Sequence, residues 1–399
     1  TIVKIKTNNK KLIYIYIYIL ILMESYLNKL ISQYKVQSKI DFNKISTITS
    51  EHLINLENNF TNVTEIKKSL ESIVVLKLNG GLGTSMGCTG PKSMIVVKDG
   101  LNFIDIICLQ IIELNSRFDV DIPLVFMNSM NTDKATIEYC KKYNNRMSIY
   151  HFNQNFLPRM NTNLKPLASE YNETNKKYFY PPGHGDVYHS FYHSDVYQKM
   201  KDMGKKYVFI SNCDNLGATV NYMIAKIMQE NKLDFCLEVV NKTLADVKGG
   251  TFIIDNNNIK LLEVAQVPKE HLDEFYNIEK FKFFNTNNLW IDIDNFATDI
   301  TMEVIYNPKK VDDINIVQLE VAMGSAVQSF ENSKIILVGR DRFRPVKKFK
   351  DLYLLQSRVF KLNPEYNLIT TENIPKFDFD MSIKSIEKYL EYIEGKTFF

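Results

Sequence analysis

The residues best suited to do chemistry cluster in one stretch, Lys77 to Ser93, reading Lys-Leu-Asn-Gly-Gly-Leu-Gly-Thr-Ser-Met-Gly-Cys-Thr-Gly-Pro-Lys-Ser. It holds five glycines: Gly80, Gly81, Gly83, Gly87 and Gly90. Glycine tolerates positive φ and lets backbone N–H groups come close to a ligand. Successive N–H groups in such a turn form a concavity that binds anions. Lys92, two residues beyond the last glycine, adds a cation to that cradle. Glycines, an amide, hydroxyls and a lysine at this spacing point to phosphate binding. Two familiar templates do not fit. The Walker loop needs glycine directly before its lysine, and here Pro91 intervenes. The dinucleotide fingerprint needs G-x-G-x-x-G, and Gly81, Gly83 and Gly87 are spaced one residue too widely.

Three further constellations carry charge or titratable groups. Asp214 closes the triplet Asn212-Cys213-Asp214, which follows the apolar run Tyr207 to Ser211. A carboxylate at a strand end can hold Mg²⁺, with substrate phosphates and water completing the shell; the same aspartate could instead cap a helix. His184 sits between Gly183 and Gly185 after two prolines. With so little side-chain packing beside it, this histidine reads as a ligand contact. Lys347, Lys348 and Lys350 form a basic cluster that, by residue type alone, is a solvated face.

These residues need a scaffold. Ile73 to Leu78 is a short β-branched apolar run, the pattern of a buried parallel strand. Similar runs recur at Pro123 to Met127, Tyr207 to Ser211, Phe235 to Val240, Thr251 to Ile254 and Ile335 to Val338. Helical stretches separate several of them, at Asn102 to Glu113 and Leu216 to Glu230. The alternation predicts an α/β fold with a mostly parallel sheet flanked by helices. In such sheets ligands bind at the carboxyl ends of the strands, where the glycine loop lies. Residues 24–70 read as helical from spacings such as Leu27, Leu30 and Ile31, and 153–182 reads as an irregular insertion.

Composition narrows the class. A chain of 399 residues with 45% hydrophobic and 24% charged side chains can build a large core. Its length suggests roughly two or three domains. A net charge of +3 is too even for a general nucleic-acid coat, so any polyanion site must be local. The five cysteines are scattered and never in C-x-x-C spacing, which argues against a disulfide framework or zinc site and for a reducing compartment such as the cytoplasm. Lys10 and Lys11 precede an apolar run, Leu12 to Leu22, like the start of a signal peptide. That run is shorter than the about 20 residues of a membrane span. Its Tyr/Ile alternation favours a strand, and no small-residue cleavage site follows. Residues 1–22 are therefore expected to be a leader outside the functional protein, with Met23 as its start and no membrane association.

The glycine loop resembles the signature of eukaryotic UTP–glucose-1-phosphate uridylyltransferases. The resemblance continues in order through Leu124 to Thr132, Phe152 to Asn155, Pro181 to Asp186, Ser211 to Gly217, Lys242 to Gly250, Leu262 to Pro268, Phe284 to Trp290, Val317 to Glu320 and Arg342 to Lys347. It implies a Rossmann-like nucleotidyltransferase fold with a mixed, mostly parallel sheet. It implies reversible conversion of UTP and glucose 1-phosphate to UDP-glucose and pyrophosphate, with Mg²⁺. Related enzymes for other sugar 1-phosphates, and an inactive UDP-sugar-binding homologue, are the competing readings. The looser relatives carry arginine after the Gly-x-Gly-Thr element, where Ser85 stands here.

By resemblance, Lys92 binds the β- and γ-phosphates and Lys347 bridges the sugar phosphate and the α-phosphate, making these the catalytic pair. Leu78, Asn79, Gly80 and Gly81 contact the base, Gln154 reads its edge, Met127 packs on it, and Gly183 and Asn212 complete the nucleotide site. Asp214 is the metal ligand. The sugar phosphate falls to His184, Asn212, Gly250, Glu263, Asn285, Asn287, Asn288 and Lys347. Asn287 and Asn288 cannot be ranked from sequence, and both are also plausible as caps of a following helix. The implied organisation is a helical segment over 23–70, a catalytic domain over 71–350, and a link with the start of a C-terminal region over 351–399. The family's C-terminal β-helix pattern is not seen in 361–399, which has a helical stretch at Ser382 to Glu394. Without that domain a monomer is expected.

Overall fold

The computed structural model describes residues 10–394, apart from 38–39, 57–61, 84–85, 89, 170, 172–173, 297–298, 372–373 and 375. Thr84, Ser85 and Thr89 of the glycine loop thus lie outside the described residues.

Eight strands form the central sheet: β1 (Leu53–Asn55), β2 (Ile73–Asn79), β3 (Leu124–Asn128), β4 (Ile149–Asn153), β5 (Tyr207–Asn212), β6 (Phe235–Asn241), β7 (Phe283–Asp292) and β8 (Ser333–Leu337). Their order across the sheet is β1-β8-β6-β7-β5-β2-β3-β4. Every pairing is parallel except those of β7, which runs antiparallel to both β5 and β6. The sheet is therefore mixed and mostly parallel. The apolar runs at 73–78, 123–127, 207–211, 235–240 and 335–338 each become one of its strands.

Strand β2 shows why a continuous apolar run is needed. Successive side chains point to opposite faces. Ile73 and Val75 join one core while Val74, Leu76 and Leu78 join the other. The first core also takes the Phe103–Phe118 and Tyr222–Asn231 helices. The second takes Tyr26, Leu27 and Leu30 of the N-terminal helix, together with Val187, Tyr188 and Phe191. The helix at 103 starts on a capping box. Asn102 Oδ1 accepts from the Asp105 N–H at 2.9 Å, and the Asn102 N–H donates to Asp105 Oδ2 at 3.2 Å.

Four regions differ from the sequence reading. Leu12 to Leu22 lies within the Lys10–Val36 helix and not a strand. Only part of 24–70 is helical: after Val36 the chain makes Ser46–Thr47, paired with Ile253 and Ile254, then β1, paired with β8, before the Val63–Glu71 helix. These short strands are specified by distant partners, which local spacing cannot reveal. The run Thr251–Asp255 is a strand, but it belongs to a separate three-stranded antiparallel sheet. Asn285 to Asn288 lie inside β7, so they cap no helix. Among the described residues, no helix is long and apolar enough to cross a membrane.

Candidate active site

The carboxyl ends of β2, β3, β4 and β5 meet at one edge of the sheet, and their side chains lock the loops in place. Asn79, the last residue of β2, donates from Nδ2 to Asn128 Oδ1 and to Thr136 Oγ1, both at 2.8 Å. Its Oδ1 accepts from the Ser93 hydroxyl at 2.5 Å. The Lys92 N–H returns to the Gly81 carbonyl at 3.2 Å. The strand end, the lysine turn and the neighbouring strand thus form one hydrogen-bonded unit. Below it, Lys77 is buried in β2, donating to Ser211 Oγ at 2.7 Å and the Ala218 carbonyl at 2.8 Å. Burial lowers its pKa to about 8.

These contacts bound a cleft of about 330 Å³, within the range of small-molecule sites. Leu78, Asn79, Gly80, Gly81, Lys92, Met127, Gln154, Gly183, Asn212 and Asp214 all line it, together with His184. Lys92 Nζ lies 2.5 Å from Asp214 Oδ2. Gln154 is set by its own N–H, which donates to the Asn128 carbonyl at 2.8 Å. A Cβ added at Gly80 would run into the Gln154 amide and push that side chain aside, so glycine there leaves Gln154 its present position. Ser93, Pro181 and Cys213 also line the cleft and were not singled out from sequence. Ser93 could have been found as the neighbour of Lys92; Cys213 is buried, and burial pushes its thiol pKa up, away from reactivity.

The other expected residues, Gly250, Glu263, Asn285, Asn287, Asn288 and Lys347, are not among those lining this cleft; His184, which does line it, feels the charge of Lys347. Gly183 has φ +90°, and the Val321 carbonyl occupies the space a side chain would need. That turn presents His184, whose Nδ1 accepts from the Met323 N–H at 3.1 Å. Burial, and then the positive charge of Lys347, lowers the imidazole pKa to about 4. The ring is therefore neutral near pH 7. With Nδ1 occupied as an acceptor, Nε2 carries the proton and is a donor.

Glu263 packs directly on Gly250, where a Cβ would stand 2.6 Å from Oε1. Burial raises its pKa, opposed by Lys347 and Lys242. Lys347, itself exposed, thus acts electrostatically on both His184 and Glu263. It adjoins Val346, whose N–H donates to the Asp214 carbonyl at 3.1 Å.

A bulge sets the asparagines of β7. Its pairing with β6 jumps from Glu238↔Asn288 to Val239↔Asn285. Asn287, with φ +57°, stands in the bulge, and its side-chain Oδ1 accepts from Asn285 Nδ2 at 3.0 Å. The Asn285 N–H donates to the Gly250 carbonyl at 3.0 Å. Asn288 points elsewhere. It is fully buried, donating from Nδ2 to Glu238 Oε2 at 3.1 Å and the Arg342 carbonyl at 3.3 Å. Glu238 also pairs with Arg342 at 2.6 Å and accepts from the Trp290 indole at 2.9 Å. Burial pushes its carboxyl up, but Arg342 and these hydrogen bonds outweigh it and hold the pKa below the ordinary value. Asn288 is therefore spent on a structural network that ties the 340–347 segment to the sheet.

Lys242, to which sequence reading assigned no role, acts electrostatically on Glu263. Its Nζ is buried without a hydrogen-bond partner among the described residues, 4.7 Å from the Phe275 ring centre, and burial lowers its pKa to about 8. The signal was its place at the head of the Lys242 to Gly250 block.

An open α/β sheet with a glycine cradle, a lysine–aspartate pair and a second lysine at its strand ends defines a nucleotide-handling transferase site. The family model described as UTP–glucose-1-phosphate uridylyltransferase matches residues 22–397. The chain is 44% identical over 366 residues to the UTP–glucose-1-phosphate uridylyltransferase of Solanum tuberosum, covering 88% of this chain and 76% of the relative. It is 46% identical over 333 residues to that of Pyrus pyrifolia, covering 81% and 70%. A mutant UDP-glucose pyrophosphorylase from Leishmania major, crystallised with UDP-glucose, superposes with a TM-score of 0.82 at 31% identity, covering 94% of this chain and 84% of that one. The chain belongs to the UTP–glucose-1-phosphate uridylyltransferase family.

Proposed function

We propose that this chain joins UTP and glucose 1-phosphate to give UDP-glucose and pyrophosphate, reversibly, with the residues above in defined roles. A phosphate oxygen of the sugar attacks the α-phosphorus of UTP. The bond from that phosphorus to the β-phosphate bridging oxygen breaks, and pyrophosphate leaves in line. Both reactants are anions, so the protein's work is alignment and charge neutralisation. The observation that carries this reading is the Lys92–Asp214 pair at 2.5 Å, at the foot of the glycine cradle and in the same cleft as Gln154 and His184.

Lys92 neutralises the β- and γ-phosphates. Lys347 bridges the sugar phosphate and the α-phosphate, where negative charge builds as the bond breaks. Gln154 reads the base edge beside Leu78 to Gly81, and Met127 packs on the ring. His184 donates from Nε2 to the sugar phosphate. Gly250, Glu263, Asn285 and Asn287 line the hexose side. We assign catalysis to residues 71–350 and, from the five free cysteines, the enzyme to the cytoplasm.

A divalent cation suits the donor set. Among the described residues no group of three or more His, Cys, Asp or Glu could cage a metal. One carboxylate, Asp214, completed by substrate phosphates and water, is the pattern of Mg²⁺. When bound, Mg²⁺ neutralises phosphate charge. The test is pyrophosphate release with UTP and a panel of sugar 1-phosphates. Turnover highest with glucose 1-phosphate supports the reading; no turnover with any sugar while UDP-glucose still binds sinks it in favour of a binding protein.

A further inference from the structure

A second cavity, of about 210 Å³, is lined by Lys347 and by residues to which no role was given above. Lys347, Lys348, Lys350 and Lys384 line it, with Phe349 and Phe379 also part of its wall. Four lysine side chains around one cavity make its wall locally positive, with Lys350 Nζ set over the Phe377 ring, 4.9 Å from its centre. None of the four forms an ion pair among the described residues. Asp351, next to Lys350, accepts at Oδ2 the N–H groups of Lys347 and Lys348, each at 2.8 Å, while Asp380 and Glu387 flank Lys384 in sequence.

The cavity also has a place in the reaction path. Lys347, to which the proposed function gives the α-phosphate, lines this cavity. The segment carrying Lys384 lies against the phosphate loop: a Cβ at Gly87, which has φ +65°, would stand 2.7 Å from Ser385 Cα and 2.8 Å from the Lys384 carbonyl. The cavity thus shares Lys384 with a segment packed on the loop and Lys347 with the proposed reaction path. At about 30 Å³ per water molecule in the liquid, its volume has room for an anion the size of pyrophosphate.

We propose that Lys347, Lys348, Lys350 and Lys384 form an oligophosphate-binding pocket beside the active site, into which pyrophosphate passes on leaving the nucleotide cleft. The identity of the anion rests on the uridylyltransferase reading; the pocket itself does not. Free inorganic phosphate shares the chemistry and is the other source of such a ligand.

The test is calorimetric titration of the full chain, saturated with UDP-glucose and without divalent metal so that no turnover occurs. Sodium pyrophosphate and sodium phosphate are titrated separately. Pyrophosphate is expected to bind in the presence of UDP-glucose, with affinity falling as salt rises. Removing one near-surface charge should cost roughly fivefold to tenfold, so Lys384→Gln weakens binding by that factor and Lys348→Gln/Lys384→Gln by more. Tighter binding of pyrophosphate than phosphate identifies the reaction product; equal binding of both identifies a phosphate effector at the same pocket. A double variant with parental melting temperature and undiminished affinity for both anions overturns the pocket. Absent turnover with UTP and glucose 1-phosphate would instead defeat the functional reading, and the two failures are read in separate experiments.

Discussion

The residues proposed for the nucleotide side and those proposed for the hexose side are built by different means. The nucleotide side lies at the ends of adjacent parallel strands, and most of its groups come from the few residues after each strand. Asn79, Asn128, Ser93 and the Lys92 turn brace one another within that edge. The hexose side gathers Gly250, Glu263, Asn285, Asn287 and Lys347 from a small antiparallel sheet, a bulged antiparallel strand and a segment pinned by a buried ion pair. A site made of strand ends needs few long-range contacts. A site made of loops from separate layers depends on buried polar anchors, chiefly Glu238 and Arg342.

The largest effect tests whether chemistry sits at the border of the two sides. Lys347→Ala should lower kcat on the order of 10²- to 10³-fold, the cost of losing one preorganised charge at a developing anion. UTP binding should change far less. Equal losses in kcat and UTP affinity would place Lys347 in uniform substrate binding and dissolve the border.

The next effect separates the anchors. Glu238→Gln leaves Arg342 buried without its charge partner, which costs about 3 kcal/mol or more of stability. Denaturant unfolding should show this, and at temperatures where the variant stays folded glucose 1-phosphate should lose affinity more than UTP. A variant as stable as the parent would mean that the hexose side does not hang on this pair. Gly80→Ala attacks the nucleotide side alone. Displacing the Gln154 amide should lower kcat/KM for UTP by roughly 30-fold, about 2 kcal/mol, and narrow the preference over CTP, because discrimination by paired hydrogen bonds is lost with them. Unchanged base preference would remove Gln154 from base reading.

The same contrast explains what the sequence made legible. β2, β3, β5, β6 and β8 are apolar on both faces, so their runs declare them. Each expected nucleotide contact follows such a run or a glycine-rich turn, and all of them reach one cleft. β7 hides because its amino-terminal half is polar: Asn285, Thr286 and Asn288 are all buried, their polar groups matched inside the protein, as where Thr286 Oγ1 donates to the Glu238 carbonyl at 2.6 Å. Read locally, Asn-Thr-Asn-Asn looks like a cap. Ranking Asn287 against Asn288 needs the bulge, and the bulge depends on pairing with β6, some fifty residues away. Lys242 was illegible for a similar reason: its burial is a property of Phe275 and the small sheet, and not of its neighbours in sequence.

The smallest effect concerns the residue where the two sides touch. His184 titrates near 6.5 when unfolded and at about 4 in the folded protein, through burial and the charge of Lys347. A depressed histidine pKa means the unfolded chain binds more protons, so its contribution to stability is complete above pH 6.5 and is lost as pH falls toward 4. Between pH 7 and 5.5 that loss is about 1.2 kcal/mol, since almost only the unfolded histidine takes up its proton in this window. Asp186, two residues on, has the opposite sign: burial, against hydrogen bonds from Asn155, raises its carboxyl to about 6, so its contribution is lost as pH rises. The net slope of the parent therefore mixes both groups and the other buried histidines, and the informative quantity is a difference. His184→Gln should lose less stability than the parent between pH 7 and 5.5, by up to that amount, in paired urea titrations. If the two proteins lose stability in parallel, His184 is not held neutral by its surroundings, and at acidic pH its Nδ1 no longer accepts from the Met323 N–H, so the ring loses the anchor that aims Nε2–H at the sugar phosphate.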